Sequence, residues 1–394
     1  MQKRFGLVWA VLCATAATSA LAKDQVPDPK APPVHETHEL PVAMLVDVTS
    51  NQVLYARNAQ RRFVPASVTK VMTLYCAFEM IRNGELAPNA MLTASEETTL
   101  EWSGKGSSMW LRAGDKVPVS ELLTGIATVS ANDASIVLAR QAGGSVAEWS
   151  ARMNDTARTL GMTQSHFNTP NGFPDEGRTF TTARDLVTLA DAVITRHPTQ
   201  YARFIGREQF RYRNLVQDNR DPILGRVEGA DGIKTGYTSE AGFTFLGSAK
   251  RDGQRLVVVV AGASRNSVRA RAARDLLEWG FDAFELAQLF EKGDIVSAVQ
   301  VQDGSARRLA LAADRDVRVN VPYGSRDKVR MSVQYDGPLR APITGGDEVA
   351  TLVVEAPDME PARIPLLATR DVAKAAVFER IGNAMAHWWE RFGG

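Results

Sequence analysis

Three short clusters stand in one order along this chain: Ser67-Val68-Thr69-Lys70, then Ser130-Ala131-Asn132, then Lys234-Thr235-Gly236. If they act together, the fold must bring a helix start, a second hydroxyl with an amide, and a strand edge to one place. Together they supply a nucleophile beside a base, a hydroxyl able to relay a proton, and a lysine followed by a hydroxyl and a glycine. Serine acyl transfer at a peptide-like carbonyl needs such a set. A lysine can take the base role, so neither aspartate nor histidine is required.

One cluster alone carries little weight. Ordinary residue usage yields on the order of one SxxK and about one SxN in a chain of this length. Ser325-Arg326-Asp327-Lys328 and Ser264-Arg265-Asn266 are such decoys, out of order and out of setting. Lys234-Thr235-Gly236 is the only KTG, where chance gives roughly a tenth of one. Setting adds to order. Pro65-Ala66 precede Ser67, and the apolar stretch Val68 to Ile81 runs to a stop at Asn83-Gly84, which predicts a helix with Ser67 at its N-terminus. Free N–H groups and the dipole there favour an oxyanion. Lys70 falls one turn later on the same face. Lys234 to Tyr237 open a predicted hairpin strand, followed by Phe243 to Ser248, a turn at Arg251-Asp252-Gly253-Gln254, and Leu256 to Ala261.

Residues 1–22 read as a secretory signal peptide, with Lys3-Arg4, an apolar core from Phe5 to Ala17, and Ala20-Leu21-Ala22 as an A-x-A site. Its removal takes the net charge from +1 to about −1, which leaves no electrostatic case for nucleic acid. It also removes Cys13, so Cys76 stands alone and is expected to be a small core residue. Residues 23–37 read as an exposed, Pro- and charge-rich arm. Mixed strand and helix patterns over 38–284 suit an α/β (α+β) body, opening with a hairpin of Val42 to Val48 and Val53 to Ala56. Over 285–368 the pattern turns to short period-two strands around Val317, Val329 and Val349, a small all-β domain. In 369–394, Val377, Ile381, Met385, Trp388 and Phe392 share one helical face, with Lys374, Glu379, Arg380 and Glu390 opposite. This amphipathic helix has too many charges to cross a bilayer and suits its interface; the alternative is docking on the protein's own surface.

Longer matches identify the resemblance: Pro65 to Thr73, Gly106-Ser107-Ser108-Met109, Asn132-Asp133-Ala134, His166 to Phe173, Thr182-Ala183-Arg184-Asp185-Leu186 and Asp231 to Gly236. Over roughly residues 38–390 the chain resembles the low-molecular-mass penicillin-binding proteins that act as serine-type D-alanyl-D-alanine carboxypeptidases. The resemblance implies a DD-peptidase/β-lactamase-like catalytic domain followed by a β-rich domain and an amphipathic membrane-associating helix. It implies removal of the terminal D-alanine from peptidoglycan stem peptides, no metal or organic cofactor, covalent inhibition by β-lactams, and a periplasmic enzyme on the outer face of the inner membrane. The family pattern implies catalytic roles for Ser67, Lys70 and Ser130, and substrate contacts for Asn132, Lys234, Thr235, Gly236 and the Tyr237 N–H. It also has a carboxylate-binding arginine on the helix after the hairpin, for which Arg269 is the candidate, with Arg265 and Arg271 close by. Ala131 departs from the usual glycine, which leaves the hydroxyl and amide in place and is expected to tighten the site.

Other groups in the pattern have plainer readings. His166 beside Phe167 and a Pro-Gly loop reads as structural, and the five scattered histidines lack metal-ligand spacing. Asp175, Glu176 and Asp185 read as turn and capping residues. A class A β-lactamase would need an E-x-x-L-N loop to deacylate quickly, and none lies between Ser130 and Lys234. A DD-endopeptidase acting on cross-links, and a scaffold that binds cell-wall peptides without cleaving them, are the further rivals. The intact Ser67, Lys70, Ser130 and Lys234 argue against the scaffold.

Overall fold

The computed structural model describes residues 26–34 and 39–375. The expected signal peptide and nearly all of the expected C-terminal helix lie outside the described residues. Those described divide into two units, one spanning 31–281 and the other 282–375 with 26–30.

The first unit opens with the expected hairpin, β1 (Val42–Asp47) and β2 (Gln52–Arg57). A 3-10 turn over Ala66–Thr69 then runs into α1 (Lys70–Arg82), stopped by Asn83 and by Gly84 at φ 77°. Next come β3 (Met91–Thr93), α2 (Glu96–Trp102), β4 (Lys116–Pro118), α3 (Val119–Thr128), α4 (Asn132–Ala142) and α5 (Val146–Thr159). They are followed by α6 (Ala183–Arg196), α7 (Pro198–Phe204), β5 (Gln209–Tyr212) and β6 (Leu215–Asp218). The KTG region resolves into three antiparallel strands, β7 (Ala230–Thr238), β8 (Gly242–Arg251) and β9 (Gln254–Ala263), before α8 (Asn266–Asp282).

The main sheet is antiparallel throughout, in the order β2-β1-β9-β8-β7, so β7 forms an edge. The apolar run in β9 reflects burial on both faces. Val257, Val259 and Ala261 join the core shared with α1 and α6, while Leu256 turns to the face covered by α8, where Gly280 packs against Leu45 and Leu256. Helix α1 sits inside this unit, with ten of its thirteen residues buried. It is therefore apolar almost all round rather than amphipathic. Cys76 is a buried free thiol on α1, pushed up to about 12 by burial, which makes it inert. Helix α6 is capped by the Thr182 hydroxyl, which accepts from the Asp185 N–H.

The second unit is all β. β10 (Phe284–Phe290) pairs with β13 (Val317–Pro322). β11 (Ile295–Gln302), β12 (Arg308–Ala312), β14 (Arg330–Gln334), β15 (Leu339–Arg340), β16 (Glu348–Glu355) and β17 (Ala362–Ala368) form a six-stranded sheet in the order β14-β16-β17-β12-β11-β15. Alternate residues such as Leu309, Leu311, Leu352, Val354, Ile364 and Leu366 fill its own core. Among the described residues no helix is long and apolar enough to cross a membrane.

Candidate active site

The turn before α1 carries Ser67, half-buried, between a fully buried Ala66 at φ 49° and a fully buried Val68. A left-handed alanine is strained, and the surroundings hold it there. The loop at Asn171-Gly172 is packed against the Ala66 carbonyl so closely that a β-carbon at Gly172 (φ 66°) would overlap it. From the other side comes β7. A β-carbon at Gly236 would stand 2.6 Å from the Pro65 oxygen and 3.2 Å from the N atoms of Ser67 and Val68. Glycine at both positions lets two backbones close on the nucleophile turn.

Lys70 is fully buried at the start of α1. Its Nζ lies 2.8 Å from Ser67 Oγ, 2.8 Å from Asn132 Oδ1 and 2.7 Å from the Asn171 carbonyl oxygen. Asn132 is fixed in this orientation, because its Nδ2 donates to the Lys105 carbonyl at 2.8 Å and its backbone N–H to the Ser107 carbonyl. Burial, and then the charge of Lys234, hold the Lys70 amine well below the usual lysine range, with Asp133 opposing. A neutral amine has two N–H donors and one lone pair. The Asn132 and Asn171 oxygens can only accept, so they take the two N–H groups and leave the lone pair facing the Ser67 hydroxyl.

Ser130 links α3 to α4 in a left-handed conformation, φ 64°, and its Oγ is buried with no hydrogen-bond partner. A buried hydroxyl left unpaired at the head of a helix, beside this cluster, is available for proton relay. Ala131 has φ −58° and joins the hydrophobic core, so its backbone does not require glycine. Behind it, Asp133 is fully buried and accepts from Ser108 Oγ (2.6 Å) and from the N–H groups of Met109, Leu111 and Ala134. This carboxylate ties the 105–111 loop, and with it the Lys105 carbonyl, to α4.

Along β7, Lys234 and Gly236 share one face by period two, and Thr235 and Tyr237 the other. The Tyr237 ring, 57% exposed, stacks on Phe243 of β8 at 4.2 Å. Arg269 reaches the same region from α8. It is 5% exposed, stands 5.8 Å over the Phe243 ring and donates to Asn266 Oδ1 at 2.6 Å. Of the three arginines considered from the sequence, Arg265 instead pairs with Glu39 at the surface and Arg271 is exposed. Lys234 is buried and donates to the Thr235 carbonyl at 3.0 Å. Burial, then Arg220 and Arg269, bring it down to about 7, against the opposing charge of Asp221. Lys234, Arg220 and Arg269 thus make this end of the site a cluster of cations, which favours an anionic group.

The residues missed from sequence are those that touch the motifs through space. Asn171, Asp133, Lys105, Asp221 and Arg220 belong to no acyl-transfer pattern. Asn171 and Asp133 lie inside longer recognised stretches, which was the one signal available. Asn266, half of a decoy SxN, positions Arg269. His166 is exposed, contacts the Arg178 carbonyl through Nδ1 at 2.9 Å and stacks on Phe180. Asp175 binds Thr179, and Asp185 binds Gln164 and Ser165. The Asp175 contacts are turn contacts as expected, but Asp185 does not cap α6: Thr182 does, and the Asp185 carboxylate instead ties the 164–165 loop to that helix.

Comparison with known proteins gives the family and the fold. The sequence profile of the family described as "D-alanyl-D-alanine carboxypeptidase" matches residues 29–265, and that of the "Penicillin-binding protein 5, C-terminal domain" matches 284–374. The D-alanyl-D-alanine carboxypeptidase DacD of Salmonella typhimurium is 30% identical over 393 residues, covering 98% of this chain and 99% of that one. The structure of penicillin-binding protein 5 from Haemophilus influenzae superposes with a TM-score of 0.79 at 29% identity, covering 86% of this chain and 99% of that one. Penicillin-binding protein D2 from Listeria monocytogenes, in its ampicillin-bound form, gives 0.57 at 28% identity over 63% of this chain and 99% of its own.

Proposed function

The chain belongs to the D-alanyl-D-alanine carboxypeptidase family of serine peptidases, and we propose that it removes the terminal D-alanine from peptidoglycan pentapeptide stems through an acyl-enzyme on Ser67. The observation that carries this reading is the placement of Lys70 Nζ, with two acceptor-only oxygens on one side and Ser67 Oγ on the other.

Lys70 takes the Ser67 proton as Oγ attacks the penultimate D-alanine carbonyl. The N–H groups of Ser67 and Tyr237 receive the oxyanion, each donor contributing roughly 10²–10³ in rate. Ser130 passes a proton to the departing D-alanine amine. Asn132 orients the substrate amide through the same side chain that holds Lys70, and Gly236 lets the peptide backbone lie against the strand. Lys234, Thr235 and Arg269 hold the terminal carboxylate, which restricts the enzyme to chain ends. Water then releases the acyl group.

β-Lactams acylate Ser67 in place of substrate. The oxygens around Lys70 Nζ come from a serine, an asparagine side chain and a backbone carbonyl. Among the described residues no carboxylate contacts Lys70 Nζ or Ser67 Oγ as a base for deacylating water, which favours a lasting adduct and a penicillin-sensitive peptidase over a β-lactamase. Residues 1–22 direct export, and the amphipathic segment in 369–394 attaches the enzyme to the outer face of the inner membrane.

The test is intact mass of the mature protein over time after mixing with benzylpenicillin, alongside Ser67→Ala. A one-to-one adduct lasting minutes and absent from the variant, with D-alanine released from a pentapeptide, supports the reading. Rapid drug hydrolysis without an adduct turns it to a β-lactamase, and neither adduct nor hydrolysis turns it to a scaffold. Truncation after Thr369 tests attachment: an unchanged membrane fraction would sink that part.

A further inference from the structure

The cation cluster at the carboxylate end of the groove contains one anion with no part in the chemistry above. Asp221 is 6% exposed. Its Oδ1 accepts from the N–H groups of Ile223 (2.8 Å) and Leu224 (3.2 Å), and its own N–H donates to Asn219 Oδ1. Its Oδ2 is buried without any hydrogen-bond donor. The preceding residue, Arg220, is pinned to Ser107 Oγ at 2.9 Å. The turn thus presents an unpartnered carboxylate oxygen to the interior, where the charges acting on it are Lys234 from β7 and Arg269 from α8. Arg269 in turn has an Nε buried with no acceptor.

An aspartate needed only for its turn could be an asparagine, whose Oδ1 would accept the same two N–H groups. The negative charge costs desolvation and is kept without a hydrogen bond to Oδ2, so it has to be accounted for by the cations it faces. Three cations here repel one another, and two of them, Lys234 and Arg269, are buried and lose water while Arg220 stays exposed. The weakest of them, Lys234, would shed its proton first.

We propose that Asp221 is a positioning residue of the carboxylate pocket, a buried counter-anion that delays the loss of the Lys234 proton and so extends binding of a terminal carboxylate to higher pH. This rests on the carboxypeptidase reading of the same groove. Burial pushes Asp221 up to about 6, while Lys234 is held at about 7. Below about pH 6 Asp221 is neutral and Lys234 charged, so the anion has no effect there. As pH rises through 6, Asp221 ionises and opposes the loss of the Lys234 proton.

The experiment compares wild type with Asp221→Asn between pH 5.5 and 8.5. The substrates are an acetylated peptide ending in D-Ala-D-Ala and the same peptide ending in D-alaninamide. The ratio of variant to wild-type KM for the free acid should be near one at pH 5.5 and rise roughly tenfold by pH 8, about one pKa unit of lost charge. For the amide it should stay flat. A ratio independent of pH, or an equal rise for the amide, overturns the inference while leaving the reading intact. A wild type that neither releases D-alanine nor binds benzylpenicillin overturns both. Should Asp221→Asn fail to fold, calorimetry of the acid peptide binding to Ser67→Ala, in buffers of different ionisation enthalpy, reads whether Lys234 is already charged. Little proton uptake at pH 6, growing only above about pH 7, supports the inference, and full uptake already at pH 6 overturns it.

Discussion

Asn132 offers its Oδ1 to Lys70 at 2.8 Å and cannot turn it away, because the Lys105 carbonyl holds its Nδ2. The amide thus serves as a fixed, uncharged acceptor. Asn132→Asp would put a carboxylate in the same place and favour the protonated amine. The acid limb of kcat/KM should then move to higher pH, and acylation at pH 7 should fall roughly 10²-fold, the scale of a lost general base. The pH profile of acylation by benzylpenicillin reads this directly. A slower rate with an unmoved limb would mean that Asn132 acts on substrate alone.

Asp133 already acts on Lys70 with the sign that carboxylate would have. It raises the basicity of the amine from the first turn of α4. Asp133→Asn should therefore shift the acid limb to lower pH, opposite to Asn132→Asp. Asp133→Ala also leaves Ser108 Oγ and the Met109 and Leu111 N–H groups unpaired in the interior. A loss of about 3–5 kcal/mol is expected, measurable by denaturant unfolding of the enzyme.

Lys70→Ala removes the base from a site where no other side-chain amine contacts Ser67 Oγ among the described residues. Acylation should drop at least about 10²–10⁴-fold while circular dichroism stays native. Acylation near the normal rate would exclude Lys70 as the base.

Gly236→Ala places a methyl 2.6 Å from the Pro65 oxygen and close to the Ser67 and Val68 nitrogens. Backbone atoms cannot swing aside as a side chain can, so β7 must draw away from the nucleophile turn. A displacement of this kind costs on the order of 10² in rate. The expected signature is a large loss of acylation with a modest change in Tm, since β7 is a sheet edge. Loss of both in proportion would mean that the glycine serves folding.

Much of the fold was legible because local rules act over short distances. The apolar stretch after Ser67 and its Asn83-Gly84 stop delimit α1 to within two residues. The period-two valines mark β13, β14 and β16. The hairpin pattern left β7 and β8 undivided, since the turn at 239–241 carries no Gly or Pro punctuation before Gly242. β10, β11, β12 and β17 were not picked out individually, although Gly293, Asp303-Gly304 and Pro357-Asp358 mark turns beside them.

The order, spacing and residue types of three clusters were enough to suggest an acyl-transfer site, since the residue types that could serve as nucleophile, base and carboxylate cations are identities that a sequence carries directly. Their protonation states were not. Whether Lys70 is a base depends on burial, on the oxygens of Asn132 and Asn171, and on the charges of Lys234 and Asp133, all brought in from separate elements. That Arg269 is buried while Arg265 and Arg271 are exposed is likewise a matter of which helix face turns inward. Chain order sets which groups exist, but electrostatic energy varies with distance and solvent exposure, and those are properties of the tertiary structure alone.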